Sequence, residues 1–304
     1  MAELTLLADA LVRAIPLILT GLAVAFAFRG GVLNLGAEGQ LLVGAAASSA
    51  ISIKLAPLSG ITVILFALAG GTIAGALWAA IAAELKRRFH VLEIISTIML
   101  NFIAIHLVAF LVRGPLQEPT HIYPQTETIP VNARLPVIIP GTRLHAGLIV
   151  TLILAGSLYW IFRYTAAGFR MRVTGAGPRA AESAGMVDVS WLSWKVFLWS
   201  GAIAGLAGAI EVNGVTFALY ENISPGYGYT AIAVALIAAL NPLGVIVSGI
   251  FFGILETGAL ALQRDFAIPS SIASMTEALL ILAVLTVASI RGRPMLFARR
   301  NTAV

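Results

Sequence analysis

Apolar runs of roughly 20 residues, the length that crosses a bilayer, follow one another almost from end to end of this chain and leave little choice of fold class. About nine can be marked out: 10 to 28, 34 to 53, 59 to 83, 91 to 112, 146 to 163, 192 to 219, 227 to 240, 243 to 262 and 272 to 290. The seventh is short enough to be a re-entrant or broken element. Of 304 residues, 59% are hydrophobic and 11% charged, with mean hydropathy +0.96, far from the balance of a soluble domain. The expectation is an all-α polytopic membrane protein, a single transmembrane domain over 1–304. Cysteine is absent, which excludes disulfides, thiolate metal sites and cysteine nucleophiles. The first apolar stretch carries Glu3, Asp9 and Arg13 where a signal peptide has a positive n-region, so no cleavable signal is expected.

A pI near 9.9 does not point to nucleic acid here, because the basic residues sit at the ends of apolar segments and not on one soluble face. The positive-inside rule puts 84–90 (Lys86, Arg87, Arg88), 164–190 (Arg170, Arg172, Arg179) and 291–304 (Arg291, Arg293, Arg299, Arg300) in the cytoplasm. Residues 113–145 then lie outside, where Pro115, Pro119, Pro124, Pro130, Pro136 and Pro140 disfavour regular structure and suit an ordered cap. With nine spans the N-terminus is also outside.

Short motifs recur at a nearly constant offset. Thr20-Gly-Leu-Ala23 returns as Ala204-Gly-Leu-Ala207, Ala56-Pro-Leu58 as Asn241-Pro-Leu243, and the glycine turn Asn34-Leu-Gly-Ala-Glu38 has a counterpart in Ser224-Pro-Gly-Tyr-Gly228. Spans one to four therefore pair with spans six to nine, in halves of about 1–112 and 191–290. An odd number of crossings between partners turns the second copy upside down, and inverted repeats are a transporter architecture with the pathway between the halves.

Inside the second run, Gly31-Val-Leu-Asn-Leu-Gly-Ala-Glu-Gly-Gln-Leu-Leu42 puts Asn34, Glu38 and Gln40 at membrane depth beside glycines that can break a helix. An ionisable group there is costly unless sheltered or paired, so these side chains either cap free backbone ends or line a pathway. Asn101 in the fourth span and Tyr227 and Tyr229 on the matching glycine turn join them as pathway candidates. Aromatic faces suit bases and sugars, although tyrosine is also the usual interfacial anchor. Glu93, His106, Glu211, Asn213, Asn241, Glu256 and Glu277 read as interhelical partners or caps.

The loop at 164–190 opens with a flexible basic stretch and then sets Pro178 and Gly185 as the start and stop of a short helix over 178–184. So short a helix needs a packing partner. It is either a surface turn or a peg for a soluble protein.

The segments PLILTGLAVAFAFRGGVLNLGAEGQLLVGA, EIISTIMLNFIA, GFRMRVTGAGPRAAESAGM and YGYTAIAVALIAALNPLGVIVSGIFFGIL, in that order over roughly residues 15 to 290, resemble the permease subunits of ATP-binding-cassette importers. The branch is the one serving nucleosides and simple sugars, and the purine-nucleoside permeases in particular carry Asn-Ile-Gly and Glu-Gly-Gln where Asn34 to Gln40 stand. The resemblance implies a permease of the cell (inner) membrane that moves nucleosides inward by alternating access, or ribose or another simple sugar. It implies two permeases, alike or different, around the pore. It further implies an extracytoplasmic binding protein that delivers solute and ATPases that dock on short coupling helices. It assigns ATPase coupling to Gly168, Arg170, Arg172, Pro178, Arg179, Ala180, Ala181, Glu182 and Gly185. Family members usually begin with a further hydrophobic segment, and commonly have Asn where Gly177 precedes Pro178, so the cap of that helix either comes from Thr174 or is weak.

Nothing in the chain suggests chemistry of its own. No Gly-Lys is followed by Ser or Thr, so there is no P-loop, and ATP and Mg belong on a separate ATPase. His90, His106, His121 and His145 lack the close pairings of a metal site, and the G-x-G fragments have no strand before them. No metal or cofactor is expected in this chain, which is not read as an enzyme. An ion-coupled secondary transporter using Glu38, Glu211 and Glu256 as relay carboxylates, and a purely structural membrane subunit, are the readings from other classes.

Overall fold

The structure is a computed structural model and describes residues 2–266 with scattered positions from 275 to 286. Most of the ninth run, Glu277 and the basic tail 291–304 lie outside the described residues. The helices are α1 (Ala2–Arg29), α2 (Ala37–Lys54), α3 (Gly60–Phe89), α4 (Glu93–Arg113), α5 (Gly147–Tyr164), α6 (Ala166–Ala176), α7 (Pro178–Ser183), α8 (Val189–Glu211), α9 (Tyr227–Ile237) and α10 (Pro242–Phe266), with a π turn at Val212–Thr216 prolonging α8. Among the described residues there is no strand, only isolated bridges between Gln125 and Tyr220 and between Val137 and His145.

Six of the described helices are long and apolar enough to cross a membrane: α1, α3, α4, α5, α8 with its π turn, and α10. The second expected span becomes α2, which begins only at Ala37 and buries Glu38, Gln40, Ser48, Ser49 and Ser52. The seventh becomes α9, 11 residues long. Neither need carry an apolar coat, because both are wrapped by other helices.

α1 and α8 form the centre. Their apolar windows are 89% and 78% buried, against 22% to 33% in the other four, as expected of helices that are hydrophobic on every side. They pack on each other and on helices from the opposite part of the chain, α1 on α10 and α9, α8 on α3 and α2. α1 runs antiparallel to α10, with Ile18 against Gly249 and Ala10 against Gly253, and α8 antiparallel to α3, with Gly201 against Ala79 and Gly205 against Gly71. Small residues let these backbones touch. A Cβ on Gly205 would lie 2.3 Å from the Gly71 carbonyl oxygen, and one on Gly44 would lie 2.4 Å from that of Gly205. The repeated Gly-Leu-Ala motifs occupy these contacts, Gly21 facing Val234 and Val245 as Gly205 faces α3.

Outward faces of the peripheral helices are apolar, with Leu65 and Leu77 on α3, Phe102 and Phe110 on α4, Ile153 and Trp160 on α5 and Val247 on α10 all exposed. So much exposed apolar surface belongs in lipid. Residues 114–146, irregular apart from a 3-10 turn at Val131–Ala133, are strapped down: Thr126 N–H donates to Leu219 O, Ile129 N–H to Phe217 O and Leu135 N–H to Asn213 O.

Candidate functional site

Two helices begin inside the bundle, and their first turns abut. A Cβ on Gly228 would lie 2.2 Å from the Glu38 backbone nitrogen. At this crossing the Gly228 N–H donates to Glu38 Oε2 at 2.7 Å, so a carboxylate from the first turn of α2 closes the first turn of α9. Ser224 stands beside the same carboxylate, and its Oγ accepts from the N–H groups of Gly226 and Tyr227 at 3.2 and 3.1 Å. The free N–H groups and dipole of a helix start favour an anion there, and Glu38 is only 3% exposed.

The start of α2 has no side-chain cap at Gly36, and residues from elsewhere supply its partners. Asn101 Oδ1 accepts from Gly39 N–H at 2.8 Å, while its Nδ2 donates to Leu35 O at 2.9 Å. Asn34 Oδ1 accepts from Gly36 N–H at 2.9 Å and from Gln40 Nε2 at 3.0 Å. Asn34 Nδ2 donates to Gln40 Oε1 at 3.0 Å and to Ser200 Oγ at 2.9 Å, and Ser200 Oγ donates to Ala23 O at 2.8 Å. One network thus joins α1, α2, α4 and α8. Further along, Asn213 Nδ2 donates to Ser48 Oγ at 2.6 Å and Ser52 Oγ donates to Asn213 Oδ1 at 2.7 Å. Of the two tyrosines, Tyr227 is buried and Tyr229 exposed, the latter beside Asn101. The structure therefore brings Asn34, Glu38, Gln40, Asn101, Tyr227 and Tyr229 to one seam. Ser200 and Thr97, the latter accepting from Leu35 N–H at 3.3 Å, join the seam with no mark in the sequence beyond a hydroxyl in an apolar run, whereas Ser224 stands in the glycine turn already noted.

The basic end differs from expectation in three details. The stretch expected to be flexible is helix α6: Thr165 Oγ1 caps it by accepting from Gly168 N–H at 3.1 Å, and Gly168 is seated on α5, its Cβ position 2.2 Å from Ile161 O. Thr174 does not cap α7; its Oγ1 is buried with no partner among the described residues, and α7 starts on Pro178 with Gly177 before it. Ala181 is fully buried against its own chain, whereas Pro178, Arg179, Ala180, Glu182 and Ala184 are exposed. The helix stops as Gly185 implies: Gly185, at φ +65°, donates to Glu182 O, and Met186 N–H to Ala181 O, the paired bonds of a left-handed helix end. Arg170 is exposed and Arg172 half-buried. At the far end of α6, a Cβ on Gly175 would lie 2.3 Å from Arg29 O, and Gly31, at φ +76°, rests on Gly175 in turn. α6 thus braces the turn that leads from α1 into Asn34.

An all-helical bundle coated for lipid, with two helix starts buried at its centre, is a multi-pass membrane protein. The family described as branched-chain amino acid transport system / permease component matches residues 6–288, and the chain belongs to it. A guanosine ABC transporter permease protein of Bacillus subtilis is 37% identical over 280 residues, 91% of this chain and 80% of that protein. A glucose ABC transporter permease protein of Haloferax volcanii is 35% identical over 290 residues, 92% of this chain and 76% of that one. In fold the chain resembles a putative metal-chelate type ABC transporter solved in an inward-facing conformation, with TM-score 0.53 and 18% identity over 93% of this chain and 85% of the other.

Proposed function

We propose that this chain is the pore-forming permease of an ATP-driven nucleoside importer. The observation that carries the reading is the 37% identity to a guanosine permease across 91% of the chain. Residues 84–90 and 164–190 face the cytoplasm and 113–145 the outside, as their basic residues imply, with nine spans in an inverted repeat; the packing of α1 and α8 on helices of the opposite half supports the repeat. A second permease completes the pore, and an extracytoplasmic binding protein delivers solute. ATPases carrying ATP and Mg dock on α7 through Pro178, Arg179, Ala180, Glu182 and Gly185, with Ala181 anchoring the helix from beneath. Gly168, Arg170 and Arg172 belong to the α6 lever, and the Gly175–Gly31 contact passes its movement to the seam. Asn34, Glu38, Gln40, Asn101, Tyr227 and Tyr229 border the pathway that opens when the starts of α2 and α9 part, as alternating packings of one core require.

Glucose import is the second reading, favoured by the Haloferax volcanii relative. The test is uptake of labelled guanosine and glucose into liposomes holding this permease with its ATPase and binding protein. ATP-dependent guanosine uptake is expected. Glucose uptake alone selects the second reading, and uptake driven by an ion gradient without the ATPase overturns both.

A further inference from the structure

A second place gathers charged groups that form no ion pair with one another among the described residues. Where α1, α8, α10 and the segment leading into α9 meet lies a cavity of about 540 Å³, within the usual range of small-molecule sites, roughly 300 to 1,000 Å³. Asp9 and Arg13 of α1, Arg143, Glu211 of α8, Tyr220 and Tyr227 are on its wall. Glu211 is 5% exposed and ends the regular part of α8, just before the π turn. Asn213 within that turn is tied to Ser48 and Ser52, so the backbone that presents Glu211 is held in place. Its carboxylate feels Arg13, Arg143 and Glu256. Yet the ion pairs among the described residues are Lys86–Glu93, Glu84–Arg87, Glu84–Arg88 and Arg113–Glu221, and none closes across this void. No hydrogen bond to the Glu211 carboxylate is formed by another described residue.

Ionisable side chains at membrane depth face a water-filled cavity, a partner or a substrate. Here carboxylates, which only accept, and guanidinium groups, which only donate, share one wall: Asp9 and Arg13 one turn apart on α1, Glu211 on α8, Arg143, and Arg264 on α10. A phosphate would meet Glu211 unshielded, and a cation would meet Arg13 and Arg143. A neutral solute that both donates and accepts fits both kinds of group. We propose that this cavity is an entry vestibule for the ribose part of a nucleoside. Glu211 accepts from its vicinal hydroxyls, Arg13 and Arg143 donate to its oxygens, and Tyr220 flanks the base. The proposal rests on the nucleoside-import reading and adds where solute first meets the permease. The floor of the vestibule is Tyr227, the residue before Gly228, so solute held there sits directly on the α9 start that Glu38 closes.

Because cysteine is absent from the chain, Thr216→Cys on the cavity wall gives a single reporter, with Asn222→Cys as a second should the first not assemble. The full transporter in liposomes, without binding protein, is labelled from outside by a membrane-impermeant thiol reagent. Guanosine and ribose at millimolar levels should each slow labelling about fivefold or more, and the free base guanine should not. Adding Glu211→Gln, or Arg143→Gln in a separate variant, should raise the half-protecting guanosine concentration about tenfold, as loss of one charge-assisted bond implies. Unchanged labelling by guanosine and ribose in a reporter that still imports guanosine overturns the vestibule and leaves the import reading standing. Protection by glucose in a transporter that imports no guanosine overturns both.

Discussion

At the seam, Asn34, Glu38, Gln40 and Asn101 are each 3% exposed or less and each bonded to backbone or to one another. At α7, Arg179, Ala180 and Glu182 are exposed, and none makes a side-chain hydrogen bond with another described residue. The sequence marks both regions by the same device, polar residues beside glycines, but physical context separates them. In the interior a polar group left without its partner costs about 1 to 3 kcal/mol, so the seam fixes the geometry of two helix starts. On the surface the same group is free to meet another protein. Substitutions at the seam should therefore act first on folding and those at α7 on coupling.

The sharpest way to break this contrast is Gly228→Val. Its Cβ position is 2.2 Å from the Glu38 nitrogen and 2.5 Å from the Glu38 Cα, and backbone cannot swing aside as a side chain can. Loss of monodisperse protein in detergent is expected, whereas Gly156→Ala, with nothing within 4 Å of the added carbon, should be silent. Full stability of Gly228→Val would mean that the two helix starts are not in contact. Next in size is His145, buried beside α5, which accepts from Gly147 N–H through Nδ1 at 3.2 Å. Burial, aided by Arg143, lowers its pKa to about 4. The unfolded chain, with histidine near 6.5, binds the extra proton between those values, so stability is fully present above about pH 6.5 and falls as pH drops toward 4. The loss amounts to about 3 kcal/mol. Thermal unfolding of His145→Gln should lose that slope.

Glu38 tests the seam more finely. Glu38→Leu leaves the Gly228 N–H without its acceptor, at about 1 to 3 kcal/mol. Glu38→Gln keeps shape and one acceptor oxygen, so its melting temperature and guanosine uptake should stay much nearer to those of the parent. Equal damage from both would assign the role to charge and revive the relay reading.

The apolar runs, the glycine breaks and the Pro178-to-Gly185 helix were readable because each is a local pattern. Which partner satisfies Glu38 was not, since Gly228 lies in the opposite part of the chain and gives no local sign of that bond. α6 was missed for a related reason: its sequence is weakly apolar and basic, and what makes it a helix is the seat of Gly168 on α5 and of Gly175 on the turn after α1. The same holds for Ala181, whose spacing alone does not say which face of α7 points inward.

α7 carries the smallest expected effect on stability and the largest on coupling. Ala180 is exposed, so Ala180→Trp adds bulk on the outer face without disturbing the bundle, and its melting temperature should match the parent. Gly185→Val should cost somewhat more, roughly 1 to 2 kcal/mol for a β-carbon at positive φ; no atom lies within 4 Å of the position, so strain and not crowding is what is measured. Both should lose ATPase co-purification and ATP-driven uptake together. Ala181→Trp points inward and reports folding of the loop, which makes it the control. If Ala180→Trp keeps its ATPase and still imports guanosine, α7 is a surface turn, and the difference between the two regions is one of burial alone.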